Sequence, residues 1–154
     1  MADDLSGHRA MAISTYNRCW HLLEAPRDAD RDADLLSAAF ASRYHWCAVG
    51  GDQELIVADW MASRAAAACG YAALAVEFAD RAAAGVATGD HPAWLRASVQ
   101  EGRARAFAAA GNAEARTAAI ALAESELAEE PDPEDRELIA EQLATVPECQ
   151  HPEG

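Results

Sequence analysis

Gly50 to Gly70 reads GGDQELIVADWMASRAAAACG, and this stretch decides the fold. Two glycines open it and one closes it. Asp52 is placed to cap the start of a helix, and Gly70 stands where a helix ends in a left-handed turn. Between Leu55 and Cys69 the charged residues are Asp59 and Arg64 alone. A helix that is apolar on nearly every side is buried on nearly every side. The stretch is therefore expected to form the central helix of an all-α domain.

The rest of the composition agrees. Alanine supplies 40 of the 154 residues, and it is the best helix former and a poor strand former. The length suits one domain over 1–154, with a core from about 8 to 147 and a frayed tail at 148–154. The net charge of -14 repels phosphate backbones and argues against nucleic acid as a partner. No apolar run approaches the roughly 20 residues that span a bilayer, so no membrane partner is expected. The first residues, MADDLSGHRA, lack the basic-then-apolar order of a signal peptide, which makes the cytoplasm the expected location. Cys19, Cys47, Cys69 and Cys149 show no CxxC spacing and read as small buried hydrophobes.

Taken in order, the chain predicts seven helices. The first covers about His8 to Glu24 with Ile13, Tyr16, Trp20 and Leu23 as its buried stripe. Pro26 stops it, and RDADRDAD (Arg27 to Asp34) reads as a solvated connector; it lacks the glycine and distal glutamate of a calcium loop. The second helix covers about Asp32 to Val49 with Leu36, Phe40 and Cys47 on one face. Gly50–Gly51 is too short a turn for anything but an antiparallel neighbour. The fourth runs from Gly70 to Gly85, with Tyr71, Leu74, Ala75, Phe78 and Ala82 inward and Glu77 and Arg81 as an exposed pair. Asp90 is placed to cap the fifth, which packs through Trp94, Leu95, Val99, Ala106 and Phe107. Gly102 sits in its middle at a cost of about 1 kcal/mol against alanine, which a closely passing neighbour would explain. Gly111 and Asn112 end the fifth, and the sixth runs to about Glu129. Asp132 and Pro133 start the seventh, whose stripe is Leu138, Ile139 and Leu143.

These helices are expected to pair as antiparallel hairpins, in a superhelix or a compact bundle. Gly70 and Gly111 lie 41 residues apart, a spacing that fits a helical-hairpin repeat. Ala75 and Ala82 after the first glycine, and Phe107 before the second, match part of the tetratricopeptide pattern. The chain resembles that right-handed superhelical family without its full signature.

Polar residues intrude on the apolar faces at Arg43 and His45, at Asp59 and Arg64, and at Glu101 and Arg105. His45 precedes the Gly50–Gly51 turn and Asp59 follows it, so hairpin folding places them within about one helical turn, roughly 5 Å, of level. A buried imidazole beside a carboxylate serves metal sites and acid–base pairs. Paired buried charges also serve simply to set which helix packs where. The structural network is the plainer reading; a ligand pocket and a catalytic pair are the others. Cys19 with His21, and His45 with Cys47, are spaced i, i+2 and fall on opposite helix faces, so no metal site is expected. Trp46, Trp60 and Trp94 either line an aromatic pocket or fill gaps between helices. No phosphate-binding glycine loop, GxSxG elbow or HExxH pair is present, and no cofactor is expected.

At ASRYHW (Ala41 to Trp46) and ADWMASR (Ala58 to Arg64) the chain resembles a family of uncharacterised actinobacterial helical-repeat proteins. In that family a similar ASRYHW is followed by GEWxxSR, with Asp59 here standing for its glutamate. Glu101 and Arg105 fall in matching places of the next repeat, and DRELIAEQLATVP (Asp135 to Pro147) also fits. The resemblance implies a tetratricopeptide-like fold and brings no activity with it.

The expectation is a non-enzymatic interaction module with a protein or peptide partner, and a homodimer is a further reading. The alternative is a helical protein that binds a small ligand or metal, a biosynthetic enzyme being one form of it, through Arg43, His45, Trp46, Asp59, Trp60, Arg64, Glu101 and Arg105.

Overall fold

Alanine-rich segments broken by Gly and Pro become seven helices: α1 (Ala2–Glu24), α2 (Ala29–Val49), α3 (Asp52–Ala68), α4 (Ala72–Ala87), α5 (Ala93–Ala109), α6 (Ala113–Leu127) and α7 (Pro133–Ala144). The computed structural model describes residues 2–149, among which there is no strand. Of the tail expected to fray, residues 150–154 lie outside the described residues.

The turn chemistry explains the boundaries. Gly70 and Gly111 have φ of 83° and 72°, the left-handed region that costs a glycine nothing. Each closes a Schellman turn: Tyr71 N–H reaches Ala66 C=O and Gly70 N–H reaches Ala67 C=O, and Asn112 and Gly111 repeat this on Phe107 and Ala108. Asn112 caps α6 and Asp132 caps α7, with Pro133 in the first turn. Two expected caps move. Asp52 is the first residue of α3, while Gly51 is the cap residue and donates its N–H to Glu54 Oε2 at 3.0 Å. Asp90 does not cap α5. The helix starts at Ala93, and the buried Glu130 Oε2 takes Trp94 N–H at 2.7 Å from the α6–α7 turn.

The charged run is mostly exposed, as a solvated connector should be, but most of it is already helix. Asp28 accepts from Arg31 N–H and starts α2 at Ala29, inside the charged run rather than at Asp32. A capping aspartate needs only the next turn to be helical, and RDADRDAD has no helix breaker after Asp28.

Helix α3 is central as expected: it packs on α1, α2, α4 and α5. Its buried residues, Ile56, Ala58, Asp59, Trp60, Met61, Ala62, Ser63, Ala65 and Ala66, cover every side. Successive helices are antiparallel. Ser42 reaches Ala12 C=O between α2 and α1, and Ser63 reaches Ala75 C=O between α3 and α4. The odd helices α1, α3, α5 and α7 also pack each on the next odd one. The even helices stand farther apart, α2 and α4 meeting through the rings of Phe40 and Phe78 at 5.1 Å. The stack therefore curves with the odd helices inside. Alanine makes the close approach possible: Ala66, Ala75, Ala79 and Ala106 form one wholly buried contact between α3, α4 and α5. Gly102 is explained by the Trp60 indole, which occupies the space its Cβ would need.

Several expected inward residues are not buried. Ile13, Tyr71 and Leu138 are exposed, and Cys47 is exposed while Cys19 and Cys69 are buried. On α1 the core side is Ala12 and Cys19. Arg81 turns away from Glu77 towards Asp59, at 4.0 Å. A carboxylate buried on α3 attracts the guanidinium more strongly than a solvated neighbour does.

Candidate functional site

Curvature of the odd layer leaves a trough of about 740 Å³ on its inner side. Its floor is Val57 and Trp60 of α3 with Trp94, Leu95 and Ser98 of α5. One wall is Tyr16, Trp20 and Glu24 of α1; the other is Asp135, Leu138, Ile139 and Gln142 of α7. These residues recur at helical spacing on each odd helix, so one face of every inner helix points into the same space. A smaller hollow of about 250 Å³ shares Tyr16, Val57 and Trp94 with the trough and adds Ile13, Trp46, Gln53 and Glu54.

Trp60 is both floor and core: it is 6% exposed, lies 5.8 Å from the Trp20 ring, and its indole N–H has no partner. Burial pushes the Tyr16 hydroxyl above its ordinary value. It also raises the Asp135 carboxyl, helped by the like charges of Asp132, Glu130 and Glu134. The α7 margin of the trough is thus acidic.

The polar residues singled out in the sequence form separate groups. Arg43 Nε donates to Asp59 Oδ1 at 2.5 Å, and Arg81 stands on the other side of that carboxylate. His45 does not meet Asp59. Its Nδ1 lies 2.8 Å from His8 Nδ1, a bond in which one ring donates and the other accepts. Arg43, on the same helix, takes Asp59, leaving His45 to α1. Glu101 is wholly buried and shared by Arg64 and Arg105. Arg64 also lies over the rings of Trp20 and Trp60, at 5.1 and 5.7 Å. Arg105 is fully committed: beyond Glu101 it donates to Gln142 C=O, Thr145 C=O and Thr145 Oγ1, tying α5 to the end of α7.

Among the described residues no group of three or more His, Cys, Asp and Glu is placed to hold a metal, and no helix is long and apolar enough to cross a membrane. Arg31, hidden in the charged run, is the residue missed by sequence reasoning. Its side chain is 10% exposed and lines a second cavity with Arg64 and Arg105.

Comparison with protein-family models, with curated proteins and with solved structures gave no match.

Proposed function

We propose that this protein is a non-enzymatic binding module that seats a short apolar segment of a partner protein in the inner trough. The observation that carries the reading is the convergence of Tyr16, Trp20, Trp60, Trp94 and Leu138 from four helices on one open space. Large aromatic residues supply most of the energy of protein contacts when they sit in a concave, partly dry surface. Glu24 and Asp135 at the margins favour a segment flanked by basic residues. Arg43 with Asp59, and Arg105 with Glu101 and the end of α7, are paired within the fold, which supports a structural role for them.

A photo-crosslinking amino acid at Ser98, on the floor, tests the reading in the native host. The crosslinked segment, made as a peptide, is expected to alter the fluorescence of Trp20, Trp60 and Trp94 and to lose affinity when Ser98→Trp fills the trough. A peptide that binds equally well to the filled variant overturns the proposal. The volume of about 740 Å³ also lies within the range of small-molecule sites. Native mass spectrometry separates the two: a small added mass lost in Ser98→Trp favours that second reading.

A further inference from the structure

The second cavity, about 270 Å³, lies at the C-terminal ends of α3 and α5 and is lined by Arg31, Arg64, Arg105, four alanines, Leu23, Pro147 and Glu148. Three guanidiniums meet there in a chain whose net charge is -14. Their counter-charges are few. Glu101 serves both Arg64 and Arg105. Asp32 serves Arg31 and also Arg27. Glu148 is held by Arg116 at 3.5 Å. At least one positive charge is therefore unmatched, and the helix ends at Ala68 and Ala109 offset only part of it.

Donors remain as well as charge. Arg31 gives only Nη1 to Asp32; its Nε, also without a partner, is closed off from the cavity, so a ligand would be met by the outer nitrogens of the guanidinium. Arg64 gives Nη1 to Glu101. A buried donor left unpaired destabilises the fold. Burial holds the Arg64 guanidinium below its ordinary range; Glu101 opposes this and Arg105 adds to it. Ala67, Ala68, Ala108 and Ala109 keep the space open, since any longer side chain would fill it.

We infer that this cavity is a binding site for a phosphate-type oxyanion, held by Arg31 and Arg64, with Arg105 positioning Glu101 behind them. Planar guanidiniums from two helices match the several oxygens and the near-double charge of a phosphate group. The site is separate from the trough and does not depend on what the trough holds.

The test is thermal melting of the full chain in inorganic phosphate, against chloride and acetate at matched ionic strength. A saturable rise of several degrees at millimolar phosphate, absent in chloride and acetate, is expected. Arg31→Gln is expected to abolish that rise, and Arg136→Gln, at an exposed position, to keep it. Ala109→Glu leaves every arginine in place and supplies a carboxylate to the cavity; it should abolish the phosphate response while preserving the fold by circular dichroism. No rise in phosphate, a rise of equal size in matched chloride or acetate, or one that survives either Arg31→Gln or Ala109→Glu, overturns the proposal.

Discussion

Gly102 and Trp60 share one space: a Cβ on Gly102 would stand 2.6 Å from the indole Cδ1 and 2.8 Å from Nε1. A mid-helix glycine costs α5 about 1 kcal/mol of helix propensity, and this contact decides the sign of replacing it. Overpacking a buried site costs about 1–3 kcal/mol, and the indole is held by Trp20 and Arg64. Gly102→Ala is therefore expected to destabilise by about 1 kcal/mol in urea unfolding. With Trp60→Val the side chain ends near the old Cγ, 3.7 Å away, and in that background Gly102→Ala should stabilise. The same sign in both backgrounds would refute the shared-space account.

Arg43 and Asp59 are expected to be worth more as a pair than their surroundings suggest. Asp59 is 9% exposed, and Arg81 is too distant at 4.0 Å to replace Arg43 fully. Arg43→Met leaves a largely buried carboxylate behind and should cost about 2–3 kcal/mol. The double change Arg43→Met with Asp59→Leu should cost less than the two single changes summed. A double-mutant cycle in urea measures this; strict additivity would show that the two groups do not interact.

Thiol chemistry should sort the cysteines by burial. Burial raises the Cys19 thiol to about 11 from an ordinary 9.0 and raises Cys69 as well. Cys47 is exposed, with Arg43 Nη1 3.7 Å from its sulfur. At neutral pH a thiol reagent should modify Cys47 in the folded protein and reach Cys19 and Cys69 only on unfolding. Because the neutral thiol is favoured in the fold, its contribution is complete below about pH 9 and is lost as pH rises through about 11. Tyr16, also raised, acts in the same direction. Stability measured in urea should fall over that window, and less steeply in Cys19→Ala. Prompt labelling of Cys19 in native protein would contradict the buried placement.

The layer order is legible in the sequence because its punctuation is physical. Gly70 does adopt left-handed backbone, Asp132 and Pro133 do start a helix, and the near-absence of charge from Leu55 to Cys69 does mark the central helix. The trough is not legible. An apolar period of 3.6 marks a face, and a face lining a trough carries the same Tyr16, Trp20 and Leu138 as one filling a core. The pairing of polar residues is hidden for a related reason: one residue along a helix turns a side chain by about 100°. Level alone therefore could not choose between Arg43 and His45 as the partner of Asp59. Arg31 was obscured by its neighbours, since alternating Arg and Asp reads as solvated until the helix is known to begin at Ala29.

Glu101 provides the sharpest test of how the inner layer is held. Its side chain is wholly buried between Arg64 and Arg105. Glu101→Gln keeps the shape and removes the charge, leaving two guanidiniums facing each other with an amide between them. Breaking such a pair costs about 3–5 kcal/mol, and here both arginines lose their carboxylate. Arg105 retains its carbonyl partners on α7, whereas Arg64 retains the rings of Trp20 and Trp60. The loss should therefore appear as a lowered urea midpoint together with altered tryptophan emission. Sodium chloride should restore little of it, because a buried charge is poorly screened. Inorganic phosphate should restore more at equal ionic strength, since the variant cavity carries one further unmatched positive charge. A variant with wild-type stability would show that the two arginines do not need the carboxylate, and that charge balance does not organise this end of the fold.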